Sequence, residues 1–240
     1  MDDVRSVQTT APETETGAGQ KEIAQNLAQE IDYPLLRATL TEDELYQQCL
    51  LARSLGLSTV VVRPCDVDSA ARYLGLGVLK VASVAGHPFG TSNTGVKVYE
   101  CRDLLRRGIK QINAYPNPGK LLSRQFQHVE VELIQLADSC LESGAILKIV
   151  VDNLLLNDEM KIIVCRMAKR VNAHFITTTA PQDLELLLKH CGDRVKLECG
   201  GVKTWEQARV ALALGCAHIS TVMPEAILTE AERVAPPQTS

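Results

Sequence analysis

Two lysines and two carboxylates sit at alternating positions in two short apolar runs: Lys148 and Asp152 in residues 147–153 (LKIVVDN), Lys196 and Glu198 in residues 195–201 (VKLECGG). If both runs are strands, alternation sends Leu147, Ile149 and Val151 to one face and Lys148, Val150 and Asp152 to the other. Likewise it separates Val195, Leu197 and Cys199 from Lys196 and Glu198. Removing an ammonium from water is costly even after the protein relaxes, so inward lysines need a reason. One is structural: they pair with Asp152 and Glu198 as buried ion pairs, or snorkel to a wet mouth. The other is chemical. Crowded lysines depress one another's pKa and yield a nucleophilic free amine or an anion site, with the carboxylates moving protons. Gln111, Asn113 and Tyr115 share a face of residues 111–117, and Phe175, Thr177 and Thr179 share a face of residues 174–180. The interior they define is unusually polar.

The elements that would position these groups are short β-branched runs alternating with longer stretches of helical period. Strands are predicted at residues 31–36, 58–64, 80–86, 111–117, 147–153, 174–180, 195–201 and 218–223. Helices are predicted at 42–55, 67–73, 94–107, 121–142, 158–171, 182–190, 205–214 and 225–233. Thr41 to Glu44 and Thr204 to Gln207 fit capping boxes, and Asn157 suits an N-cap with acids in the first turn. Eight alternations favour an α/β fold closed into a single-domain (β/α)8 TIM barrel over an open doubly wound sheet. Neither G-x-G-x-x-G nor a Walker-type loop occurs. Catalysis in such a barrel belongs to the C-terminal strand ends, so His174 and His218, which begin their strands, lie at the wrong end. His87 reads as a hydrogen-bonded structural residue, and Trp205 as packing for the top rim.

The 240 residues hold 25 basic and 29 acidic side chains with 45% apolar residues. One large core is affordable on that length, and no basic patch or stripe suggests nucleic acid or an anionic membrane as a partner. The eight cysteines contain no C-x-x-C pair, so zinc spacing is absent and the thiols read as buried apolar residues in a reducing cytoplasm. No metal or other cofactor is expected. No stretch reaches about 18 uninterrupted apolar residues, so no membrane association is expected. Residues 1–20 read as a disordered tail, leaving 21–240 as the barrel domain.

At several strands the residues resemble the deoxyribose-phosphate aldolase family. Ile31-Asp32-Tyr33-Pro34-Leu35-Leu36 resembles its opening I-D-H-T-L-L, and Val60-Val61-Val62-Arg63-Pro64 its V-C-V-N-P. Gly86-His87-Pro88-Phe89-Gly90 with Lys97 and Glu100 is similar to G-F-P-x-G and the following K-x-x-E. Lys148 to Asp152 resembles K-V-I-x-E, and Gly200-Gly201-Val202-Lys203-Thr204 resembles G-G-I-R-T. The resemblance implies a metal-free class I aldolase barrel that cleaves 2-deoxyribose 5-phosphate through a lysine Schiff base, and commonly a homodimer. That chemistry needs an unprotonated amine, a second lysine to depress its pKa, and a carboxylate relay.

Against the same family pattern, F-V-K-T-S-T-G-F falls on Phe175 to Pro181 and puts Thr177 at the imine-lysine position. E-I-D-M-V-I-N falls on Gln111 to Asn117 and makes the relay aspartate Asn113. The second lysine falls on Leu197, unless a one-residue bulge brings in Lys196. Of the phosphate loops, the one after the sixth strand is cut short at Pro181, and T-S-S-G becomes Thr221-Val222-Met223-Pro224. Gly200, Gly201 and the helix start after Thr204 are left to hold an anion. Two functions follow. One is an aldolase-like barrel without the retro-aldol reaction, acting as a ligand-binding, regulatory or partner subunit for a small phosphate or aldehyde. The other is a lyase rebuilt on Lys196 or Lys148 as amine, with Glu198 or Asp152 for proton transfer.

Overall fold

The computed structural model describes residues 15–234 except 76, 78 and 193. Eight parallel strands close in sequence order: β1 (Ile31–Leu35), β2 (Thr59–Val62), β3 (Lys80–Ala85), β4 (Gln111–Ala114), β5 (Ile146–Val151), β6 (Phe175–Thr178), β7 (Lys196–Cys199) and β8 (His218–Ser220), which pairs back onto β1. Around them run α1 (Glu15–Ala28), α2 (Glu42–Ser54), α3 (Val67–Leu74), α4 (Thr94–Arg106), α5 (Pro118–Leu122), α6 (Phe126–Glu142), α7 (Asp158–Arg170), α8 (Leu184–Cys191), α9 (Trp205–Ala213) and α10 (Pro224–Val234). The fold is the (β/α)8 barrel. No helix among the described residues is long and apolar enough to cross a membrane.

Local signals explain several helix starts. The Thr41 hydroxyl accepts from the Glu44 amide while Glu44 reaches back to the Thr41 amide, completing the capping box of α2. Asn93, Asn157 and Thr204 accept the N3 amides of α4, α7 and α9 without the reciprocal bond; at α9 the Gln207 side chain accepts the Lys203 amide instead of completing the expected box. Strand residues that alternate outward, such as Leu147, Ile149, Val151, Ile176 and Leu197, join the helices' buried faces in one core. The inner face of β2 and β3 is apolar instead, with Val61, Ala82 and Val84 packed under Leu36 and Tyr115.

Two differences stand out. Helix α1 starts at Glu15, inside the segment expected to be tail, and residues 1–14 of that tail lie outside the described residues. Its Ala24, Leu27 and Ala28 are buried, and it packs against α10 across the seam where β8 meets β1. The helix expected over 121–142 is two, because Arg124 turns left-handed (φ 57°) between α5 and α6. Seven of the eight cysteines are buried, in line with their reading as apolar filler.

Candidate functional site

Lys148 is the hub of the barrel interior. It is wholly buried, its Nζ donates to Asp32 Oδ2 at 2.8 Å and to the Glu198 carboxylate, and it lies 4.6 Å from the centre of the Phe175 ring. Gln111 Nε2 donates to the same Asp32 oxygen at 2.7 Å. Expected pairing with Asp152 does not occur. Four residues along a strand span about 13 Å, so the partner has to come from across the barrel at the same level. Asp152 instead lies just past β5, half-buried, where its carboxylate accepts from the Leu154 amide at 2.8 Å and turns the chain.

Three charges in a dry interior do not titrate alike. Burial opposes the Asp32 anion most, yet the Lys148 charge, hydrogen bonds from Lys148 and Gln111 and the nearby His218 ring outweigh it, so the carboxyl stays below its ordinary range. Glu198 is pushed up to about 7, first by burial, with the Asp32 charge adding to it against the Lys148 attraction. Burial also opposes the Lys148 cation, but Glu198 and Asp32 more than offset it, and its pKa is raised. The interior lysine is therefore held as an ammonium, which is not a nucleophile.

Asp32, Glu198 and His218 bring three ligand-type atoms within 4.8 Å of one another, a spacing a cation can use. The Lys148 ammonium is already bonded to both carboxylates and supplies the positive charge at this centre. His218 approaches from below, with Nδ1 3.6 Å from Asp32 Oδ1 and its ring edge-on to Phe175.

The remaining expected site residues divide by height in the barrel. Thr177 is buried in register between Val150 and Glu198, and its hydroxyl has no partner among the described residues. Asn113 is buried and takes a long 3.5 Å contact from Gln111 Nε2. Strand β7 runs in unbroken register beside β6, Phe175 to Lys196 through Thr178 to Cys199, so the bulge that would lift Lys196 is absent. Leu197 faces the helices, and Lys196 is exposed at the strand's N-terminal end. Leu197 brings no amine, and the Lys196 ammonium lies 5.9 Å from the centre of the Phe175 ring, on an exposed side chain that opens at the N-terminal mouth. The expectation of Lys196 as a pocket amine is corrected on that ground.

Gly200 and Gly201 act through close approach. A Cβ on Gly200 would stand 2.1 Å from the Thr178 carbonyl oxygen, and one on Gly201 2.5 Å from that of Thr179. The Gly200 amide donates to Thr178 O at 2.9 Å and is not free for an anion. At the start of α9 the Trp205 amide donates to Glu230 Oε2 at 3.2 Å and the Gln207 amide to Thr204 Oγ1. The helix start expected to hold an anion thus already holds a carboxylate of the chain itself.

Alternation along β4 already turns Gln111 inward, and His218 begins its strand at the non-catalytic end; Asp32 was not singled out from sequence, although it is the lone charge of its strand and opens the I-D motif. The K-x-x-E pair also acquires a role. Lys97 is fully buried, bonded to Glu132 at 2.8 Å and to the Tyr115 carbonyl at 2.9 Å, while Glu100 accepts from the Gly86 amide at 2.8 Å. Together they fix the turn after β3, where His87 meets the Tyr115 ring edge-on and burial lowers its pKa.

No family model matches the chain. The deoxyribose-phosphate aldolase of Treponema denticola is 30% identical over 208 residues, covering 83% of this chain and 96% of that protein. Its counterpart in Thermococcus gammatolerans is 30% identical over 210 residues, covering 83% and 93%. Among solved structures, the aldolase QR15 superposes with a TM-score of 0.79 at 26% identity, covering 85% of this chain and 95% of that one. The tetrameric deoxyribose phosphate aldolase of Aeropyrum pernix, at 22% identity and a TM-score of 0.77, shares the fold.

Proposed function

The chain belongs to the deoxyribose-phosphate aldolase family, and from that premise we propose that it works without the family's lysine imine, as a ligand-binding, regulatory or partner subunit. The state of Lys148 carries this reading. Imine formation needs a neutral amine, and the lysine at the centre of the interior is an ammonium clamped by two carboxylates. Thr177 cannot replace it, and Lys196 is an exposed side chain at the N-terminal end of its strand, away from the C-terminal mouth. Loss of the nucleophile removes most of a rate enhancement that spans at least about 8 kcal/mol of barrier. The rebuilt lyase on Lys148 or Lys196 loses support for the same reasons.

The ligand we assign to the C-terminal mouth is a small neutral aldehyde or hydroxy-carbonyl compound. A phosphate there would have to displace Glu230 from α9. The partner class includes a second copy of this chain, and the working compartment we assign is the reducing cytoplasm.

The test is to incubate the protein with acetaldehyde or deoxyribose 5-phosphate, reduce with borohydride, and search for a lysine adduct by mass spectrometry alongside an aldehyde-release assay. The expected result is no adduct and no cleavage. A specific adduct at Lys148 or Lys196, lost on substitution by Met, overturns the proposal.

A further inference from the structure

The opposite mouth of the barrel carries a feature that the aldolase frame does not use. A cleft of about 470 Å³ opens at the N-terminal ends of β5 to β8, with Lys169, Arg194 and Lys196 on its walls, His174 on its rim and Phe175 in its lining. Among the described residues no carboxylate lines it, although the chain as a whole carries a net charge of −4; Asp193, next to Arg194, lies outside the described residues. The three cations come from three separate segments, the last turn of α7, the turn before β7 and β7 itself. Lys169 and Lys196 enter no ion pair among the described residues.

Like charges gathered in one concavity repel, and the N-terminal face of a barrel is where sequence ordinarily serves stability. The arrangement becomes favourable when a bound anion offsets that repulsion. Two further details prepare such a site. His174 Nδ1 accepts the Leu147 amide at 3.2 Å, which puts the proton of the neutral ring on Nε2, the nitrogen left to donate to a ligand. Lys196 Nζ lies 5.9 Å from the centre of the Phe175 ring, so its stem follows an apolar wall and its charge stays in the cleft. His218, deeper in the lining, has Glu30 at 3.9 Å from Nε2 and Asp32 at 3.6 Å from Nδ1, which leaves the anion to the lysines, Arg194 and His174.

We propose that this cleft is a second ligand site, for a small phosphomonoester dianion whose phosphate is held by Lys169, Arg194 and Lys196 and whose organic part lies along Phe175. A phosphate presents several strong acceptor oxygens to donors converging from different segments, which suits three cations better than one carboxylate would. The volume suits a compact metabolite and not a polymer. The site stands apart from the reading of the C-terminal mouth, since none of its cations belongs to that mouth.

Glycerol 2-phosphate titrated into the full chain by calorimetry tests it, with succinate and inorganic phosphate as comparison probes. Binding at millimolar concentration or below is expected, weakened about tenfold or more in both Lys196→Met and Arg194→Met. The His174 ring resonances should shift on titration in the unsubstituted protein. Both substitutions replace exposed side chains, and unchanged unfolding midpoints confirm that the variants are folded. Absence of binding, binding unaltered by either substitution, or succinate binding as tightly as glycerol 2-phosphate overturns the proposal.

Discussion

Asp32 and Glu198 compete for one ammonium, and the competition has a pH signature. The folded pKa of Glu198, about 7, lies above its ordinary 4.5. A raised acid favours its protonated form in the fold. Its contribution is therefore full below about 4.5 and is lost as pH rises through about 7. Glu198→Gln removes that loss while leaving the Asp32 and Lys148 pair intact. Between about pH 5 and about pH 8 the unsubstituted protein should lose on the order of 3 kcal/mol relative to the variant in urea unfolding. Parallel pH profiles for the two proteins would contradict the assigned burial. Sequence alternation already turned Lys148 and Glu198 inward. It could not supply Asp32, because a contact across 116 positions exists only once the barrel closes.

At the level of elements, β6 and β7 approach so closely that glycine is required where they end. Gly200→Ala would drive a Cβ into the Thr178 carbonyl, and the backbone must move, so a loss of about 1–3 kcal/mol is expected. Gly95→Ala makes the control. It lies in the first turn of α4, its added Cβ meets only Asn93 Oδ1 at 3.5 Å, and a gain of about 0.4–1 kcal/mol follows from the stiffer unfolded chain. Urea midpoints of the two variants should move in opposite directions. Element starts were legible where a side chain caps them, at Thr41, Asn157 and Thr204. Helix α1 was missed because, among its described side chains, Ala24 and Ala28 flank a single large buried residue, Leu27, and give a weak apolar stripe. The break at Arg124 was missed because nothing in its side chain announces a left-handed turn.

For the whole molecule, the proposed reading rests on positions that lie on different strands, Thr177 on β6 and Asn113 on β4. Thr177→Lys restores an amine in register beside Glu198, but the new charge enters a network whose carboxylate can pair with it, and Asn113 still offers no titratable proton. The variant should release no aldehyde from deoxyribose 5-phosphate above background. Ready cleavage would mean that the rest of the site remains competent. The closed barrel was legible because eight strand and helix alternations leave few other architectures, and the motif order reinforced it. The division of the interior into an ionic centre and a basic N-terminal mouth was not legible, because height along a barrel axis depends on strand stagger, which no single strand encodes.

The carboxylate of Glu230 at the first turn of α9 has one more consequence. A tethered group competes at an effective concentration fixed by chain geometry, on the order of millimolar or higher for a short connection. A free anion seeking that helix end meets an intramolecular rival that never dilutes away. Changes in free phosphate would therefore leave that helix end largely untouched.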